Sequence, residues 1–177
     1  MQLIQQIRSH FFQKGMKQRQ LLQSQSSSIK PFSKIQNVGF IFEANDHSCT
    51  KTALNAQKAL SKEGKKINLL GFFKGNHQEV PRFKFPFFTE KDLDWCGQPL
   101  KGEAAIFAQK NYDLLINLSL EFNPQLEYLL ATTNANFKAG STVGLVNYYD
   151  LMIDVTENPQ PSVLLDKIFS LLKNTIQ

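Results

Sequence analysis

The stretch Tyr112-Asp113-Leu114-Leu115-Ile116-Asn117-Leu118-Ser119-Leu120 limits the possible folds more than any other part of the chain. It is a short apolar run with polar residues near its far end, and a near-copy follows at Tyr149-Asp150-Leu151-Met152-Ile153-Asp154-Val155. Apolar runs of this length, bounded by polar residues and followed by helical patterns, read as strands buried on both faces of a parallel sheet. Residues 112–120 are therefore expected to form a central strand of an α/β sheet.

The rest of the chain fits that reading. Val38–Ala44 and Ile67–Phe73 predict two further strands, with a helix from about Cys49 to Glu63 between them. Asp46 or Ser48 suits its N-cap and Gly64 its C-terminal stop. Residues 75–101 are irregular and punctuated by Pro81, Pro86 and Pro99. Within them Thr89 suits a cap and Trp95-Cys96-Gly97 a packed corner, while Arg82–Phe85, alternating basic and aromatic residues, suits either a nucleic-acid surface or a strand or covering loop with one buried face. A second helix is expected over 102–110 and a third over 124–134, with Asn123 as cap and Pro124 at N1. Phe137–Gly140 predicts a brief fourth strand, Tyr149–Val155 the fifth, and 162–173 the last helix. About eight residues join the last two strands, too few for a helical crossover, so one strand should be brief or their pairing irregular. The expected fold is α/β: a three-layer sandwich with a mostly parallel five-stranded Rossmann-like or flavodoxin-like sheet, preceded by a basic N-terminal helix or arm.

Charge divides the chain in two. Arg8, Lys14, Lys17, Arg19, Lys30 and Lys34 lie before Val38 with no acid among them, whereas the remainder holds 14 basic against 15 acidic residues. Residues 1–36 read as a basic arm and Ser/Gln-rich linker, and 37–177 as one α/β domain. Leu3, Ile4, Ile7, Phe11 and Phe12 recur at helical spacing. Three readings of that segment compete: a helix packed on the body, an arm that binds a polyanion or protein, and a membrane-surface helix or targeting segment. No run approaches the roughly 18 apolar residues needed to span a bilayer.

In open parallel sheets ligands bind beyond the carboxyl ends of the strands. That rule singles out Glu43, Asn45, Asp46, Asn117, Ser119 and Asp154 as a candidate ligand rim, with Glu121, Ser141, Thr142 and Thr156 beside it. Glu43, Asp46, Glu121 and Asp154 have the chemistry for metal binding or acid–base work. Yet no GxGxxG, Walker A or GxSxG sequence is present, His10, His47 and His77 lack ligand spacing, and Cys49 and Cys96 form no CxxC pair. No cofactor, metal or catalytic residue is assigned. Cys49, at a helix start, is either a thiol of lowered pKa or a small buried hydrophobe. Asp113 and Asp150, at the amino-terminal side of their strands, are expected to bond local backbone.

Six segments in order, FIFEAND, LLGFF, FFTEKDLDWCG, YDLLINLSLE, FKAG and YDLMIDV, resemble a domain-of-unknown-function family of small Bacteroidota proteins. The resemblance implies a bacterial cytoplasmic protein and brings no activity. More distantly, YDLLINL followed by a helix and FKAG is similar to the first half of heptosyltransferase-like GT-B glycosyltransferases. Their nucleotide-sugar donor binds mainly to a second domain that has no counterpart here, so this likeness implies shared architecture rather than shared chemistry.

Together these features predict a non-catalytic cytoplasmic binding or adaptor module. Its body would dock to a protein or nucleoprotein partner, and its arm would contact a polyanion such as RNA or the ribosome. The alternative is a small enzyme, or a binder of nucleotide or sugar phosphate, that uses the strand-end rim.

Overall fold

Apolar runs that can face water on neither side need a layer of helices above and below, and the chain supplies both. The computed structural model describes residues 6, 9–15, 17, 30–75, 81–144 and 146–175. In chain order the strands are β1 (Asn37–Glu43), β2 (Lys66–Phe73), β3 (Phe87–Thr89), β4 (Asn111–Tyr112), β5 (Leu114–Asn117), β6 (Asn134–Ala135), β7 (Lys138–Ser141) and β8 (Leu151–Ile153). The helices are α1 (residues 9–15), α2 (His47–Lys62), α3 (Gly102–Ala108), α4 (Pro124–Thr132) and α5 (Pro161–Thr175).

Six strands form one parallel sheet in the order β3-β2-β1-β5-β7-β8. Counting only these strands, the order is that of the Rossmann sheet, which resolves the choice between the two arrangements the sequence allowed. The sheet has one strand more than the five expected. The addition is β3, which pairs with Gly71–Phe73 inside the proline-punctuated region. Three residues are too few to show an alternating pattern, so periodicity could not reveal it. The pair β4–β6 forms a separate short parallel ribbon just ahead of β5 and β7.

Successive residues of β5 alternate between two cores, as a pleated strand requires. Leu114 and Ile116 join Phe40, Phe42, Leu164 and Ile168 beneath α2 and α5. Leu115 joins Ile41, Leu70, Phe107, Leu126 and Leu130 beneath α3 and α4. Asp46 caps α2 by accepting from the Ser48 and Cys49 amides at 2.7 and 3.3 Å, and Gly64 follows its last turn with φ +80°. Asn123 caps α4 through the Gln125 and Leu126 amides. Between β7 and β8 a 3-10 turn, Val146–Tyr148, replaces a crossover helix, and β8 is brief.

Several of the residues read as arm and linker pack against this body. Phe12 meets Tyr128 with ring centroids 5.2 Å apart, and Gln98 donates to the Phe11 carbonyl at 3.3 Å. The described residues of the N-terminal segment form a helix that touches the body, which leaves its exposed face open to a partner. Phe32 and Ile35, within the stretch read as linker, are buried in the core. The Lys65 ammonium donates to both their carbonyls, at 3.0 and 2.8 Å, and lies 4.7 Å from the Phe32 ring centre. The Arg82–Phe85 segment is a covering loop: Phe85 is buried against Phe42 while Arg82 and Lys84 stay exposed. Trp95, expected in a packed corner, is 61 % exposed. The corner itself forms, with Asp94 accepting from the Cys96 and Gln98 amides and Gly97 at φ +90°, but it turns the indole outward.

At the amino-terminal edge of the sheet Asp113 accepts from the Gln36 and Asn37 amides at 2.8 and 3.0 Å and pairs with the Lys30 ammonium at 2.7 Å. Asp150 does the same one connection later, accepting from the Lys138 amide at 2.7 Å. Both acids bond backbone, but that of the neighbouring strand segments rather than the local backbone the sequence suggested. Burial pushes the Asp113 pKa up, but the Lys30 hydrogen bond and the Asn37 and Gln36 amides together outweigh it and hold the carboxyl below its ordinary value. A depressed carboxylate pKa stabilises the fold above the unfolded-state pKa, and that stability is lost as pH falls through the folded-state value. Asp113→Asn is expected to cost about 1–3 kcal/mol at neutral pH. In urea titrations the gap between wild type and variant should close as the pH drops below the carboxylate range.

Candidate functional site

The strand order reverses between β1 and β5: from β1 the chain winds outward through β2 and β3, and from β5 it winds the other way through β7 and β8. Connections on opposite sides leave a crevice at such a point. Here it is a cleft of about 480 Å³ walled by Glu43, Asn45, Asp46, Cys49, Ser119, Leu120, Glu121 and Pro159. Four of the six residues expected at the ligand rim thus line one cleft.

Each wall residue is held differently. Glu43, at the end of β1, accepts from the Asn123 amide group at 2.7 Å, which ties the cleft to the start of α4. Asn45 exchanges two hydrogen bonds with the Lys74 backbone, at 2.9 and 2.7 Å, and so joins the β1 and β2 ends. Asp46 spends one carboxylate oxygen on the first amides of α2, and its other oxygen accepts from the Cys49 thiol at 3.2 Å. Glu121 is exposed at the mouth. Ser119 is 3 % exposed, and its Oγ has no hydrogen-bond partner among the described residues.

Cys49 behaves as a small buried residue rather than an activated thiol. Burial, reinforced by the Asp46 hydrogen bond and the charges of Asp46 and Glu43, pushes its pKa far up. A thiol that keeps its proton is a poor nucleophile, and the sulfur donates to the Leu118 carbonyl at 3.4 Å. Burial first, and then the acids at this helix start, override the dipole that would otherwise lower the pKa.

Asn117 and Asp154 do not meet in the cleft. Asn117 is buried on the α4 side of β5, where its amide donates to Glu127 at 3.2 Å and to the Tyr149 hydroxyl at 3.0 Å, and its carbonyl accepts from the Ser119 amide. Tyr149 donates a short hydrogen bond to the same Glu127 oxygen. A Cβ at Gly140 would collide with the Tyr149 ring, so only glycine lets that ring reach the strand ends. Asp154 is solvent-exposed and closes its own turn by accepting from the Thr156 amide and hydroxyl at 2.9 and 2.8 Å, which lowers its pKa. Glu127 was not singled out by its sequence; the available signal was one acid inside the otherwise inward-facing run Leu126–Leu130.

Among the described residues no group of three or more His, Cys, Asp or Glu is placed to hold a metal ion. No helix among them is long and apolar enough to cross a membrane. Of the six basic residues assigned to the arm, Lys14, Lys17 and Lys34 are exposed, Lys30 is paired with Asp113, and Arg8 and Arg19 lie outside the described residues.

In a Cys96→Ser background, Cys49 is expected to react with a disulfide reagent at least about tenfold more slowly than an unhindered cysteine at neutral pH. Asp46→Asn, which removes a charge that disfavours the thiolate, should speed the reaction, as read by thionitrobenzoate release.

Comparison with known proteins places these features in context. Neither curated proteins nor solved structures yield a match to the chain. A family model does match, over residues 6–174, and with it nearly all of the fold described above. The chain belongs to DUF6913, a family of unknown function.

Proposed function

We propose that the chain is a binding module whose ligand site is the cleft between β1 and β5. The observation that carries this reading is the position of the cleft, outside the carboxyl ends of the two strands where the order reverses. The chemistry of its wall narrows the ligand. Glu43, Asp46 and Glu121 are acidic, and no lysine or arginine among the described residues lines the cleft. The helix end that would cradle a phosphate is capped by the protein's own Asp46 carboxylate. A small molecule bearing hydroxyl or amine donors suits such a wall, and a phosphate would meet repulsion. The protonated Cys49 and the structural engagement of Glu43 and Asp46 favour binding without catalysis. The resemblance to small Bacteroidota proteins, together with two unpaired cysteines, supports a bacterial cytoplasmic setting.

Titration of labelled protein with glucosamine, glucose and glucose 6-phosphate, followed by amide chemical shifts, tests this. The reading expects shifts at Ser119, Leu120 and Glu121 with the amine-bearing or neutral sugar, and weaker ones with the phosphate. Glu121→Lys, at an exposed position, should weaken glucosamine binding about threefold or more. Shifts confined to residues away from the cleft, or absent for all three probes, would remove the cleft as the site.

A second reading assigns the N-terminal stretch to a polyanionic partner such as RNA or a ribosomal surface. It is favoured by Lys14, Lys17 and Lys34, which are all exposed, in a stretch that contains no acid. Lysines neutralise phosphates without a sequence code, so binding of this kind should fall steeply with added salt.

A further inference from the structure

Trp95 is exposed, and so is its neighbour in space. Phe11 is 44 % exposed and meets the indole edge-on with ring centroids 5.3 Å apart. Leaving two large aromatic faces in water forgoes the stabilisation that burial would give, and the surrounding backbone is built to keep them there. The tip carrying Trp95 is closed by backbone hydrogen bonds between Asp94 and Gln98 and between Gly97 and Asp94, both 3.0 Å, and by a bridge between Leu93 and Pro99. Gln98 then joins that tip to α1 through the Phe11 carbonyl and to α4 through the Tyr128 hydroxyl at 2.9 Å. Two aromatic rings from distant parts of the chain are thus held side by side on a braced support.

The helix that carries Phe11 also carries cations. Lys14 lies three residues after Phe11 and so on the same helix face, Lys17 follows one turn on, and both are exposed. No acid occurs in the first 37 residues. Of the acids in the segment before Trp95, Asp94 is turned back onto the Cys96 and Gln98 amides and Asp92 onto the Thr89 amide, while Glu90 is exposed. Exposed aromatic faces for bases, with cations beside them for the backbone, are what sequence-tolerant binding of a single strand requires. We infer that Trp95 and Phe11, with Lys14 and Lys17, form a stacking platform for single-stranded RNA. This rests on the polyanion reading above and adds to it a place and a mode of contact.

Trp95 is the one tryptophan of the chain, so intrinsic fluorescence reports on the platform directly. Adding a short oligouridylate to the full-length protein at low salt should quench that fluorescence saturably, with the midpoint rising as salt is added. Trp95→Ala, checked for folding by circular dichroism, should weaken binding of a labelled oligouridylate about tenfold, and Trp95→Phe should restore part of the loss. Lys14→Glu with Lys17→Glu should reduce the salt dependence. Salt-sensitive binding that leaves the fluorescence unchanged and is indifferent to Trp95→Ala would overturn the platform while the polyanion reading stands. Absence of binding at low salt would overturn both. Quenching that ignores salt would overturn the part assigned to Lys14 and Lys17.

Discussion

The Asp113 carboxylate sits where the amino-terminal ends of the central strands meet, and the arrangement of everything beyond depends on it. Its backbone amide donates to the Asn37 carbonyl at 2.9 Å while its side chain accepts from the Asn37 amide, so one residue grips both faces of the same peptide neighbour. Asp150 grips Lys138 in the same way, with the amide bond at 2.8 Å and the side-chain bond at 2.7 Å. A parallel strand that slips by one residue exchanges its two faces. In a strand such as β5, apolar on both faces, hydrophobicity alone penalises that slip weakly. The repeated Tyr-Asp pair supplies the missing specification: it holds β5 in register on β1 and β8 on β7. Lys30 and Asn136 reach the same carboxylate, so the entering chain and the segment before β7 are tied to one point.

Register fixed at one end determines what arrives at the other. With Ile41 opposite Asn117, the residues past both strands diverge by face. Glu43, Ser119 and Glu121 reach the open crevice at the reversal of strand order, whereas Asn117 turns under α4. There the protein fills the space itself: Tyr149, admitted by Gly140, reaches the buried Glu127, and Asn117 donates to both. The carboxyl edge of the sheet therefore has an open half between β1 and β5 and a self-occupied half between β5 and β7.

The sequence made the open half legible and hid the closed half, for a physical reason. Strands, helices and caps are local, and Asp46, Asn123, Pro124 and Gly64 announce them within a few residues. The rim rule then finds Glu43, Asn45, Asp46 and Ser119 because it needs only the ends of those strands. It misplaces Asn117 because a side chain's face is set by pairing register, and it overlooks Glu127 because a buried acid needs partners from β5 and from the β7–β8 connection. Asp154 satisfies itself within two residues, a local turn that a strand-end acid does not advertise. β3 escapes notice because its pairing to β2, rather than any pattern of its own, makes it a strand. Trp95 defeats expectation in the opposite sense: hydrophobicity argues for burial, and only the path of residues 93–99 shows that its corner faces outward.

The net charge of +5 conceals two opposite local fields. The cleft wall contributes Glu43, Asp46 and Glu121 with no balancing cation, while the N-terminal stretch contributes cations with no balancing acid. Separated fields act on ligands through each patch rather than through the total. An anion drawn to Lys14 and Lys17 is repelled at the crevice, and a cation suited to the crevice is repelled at α1. The two surfaces therefore cannot be alternative docking places for one molecule. The aromatic pair and the crevice at the strand-order reversal present opposite electrostatic surroundings to the solvent.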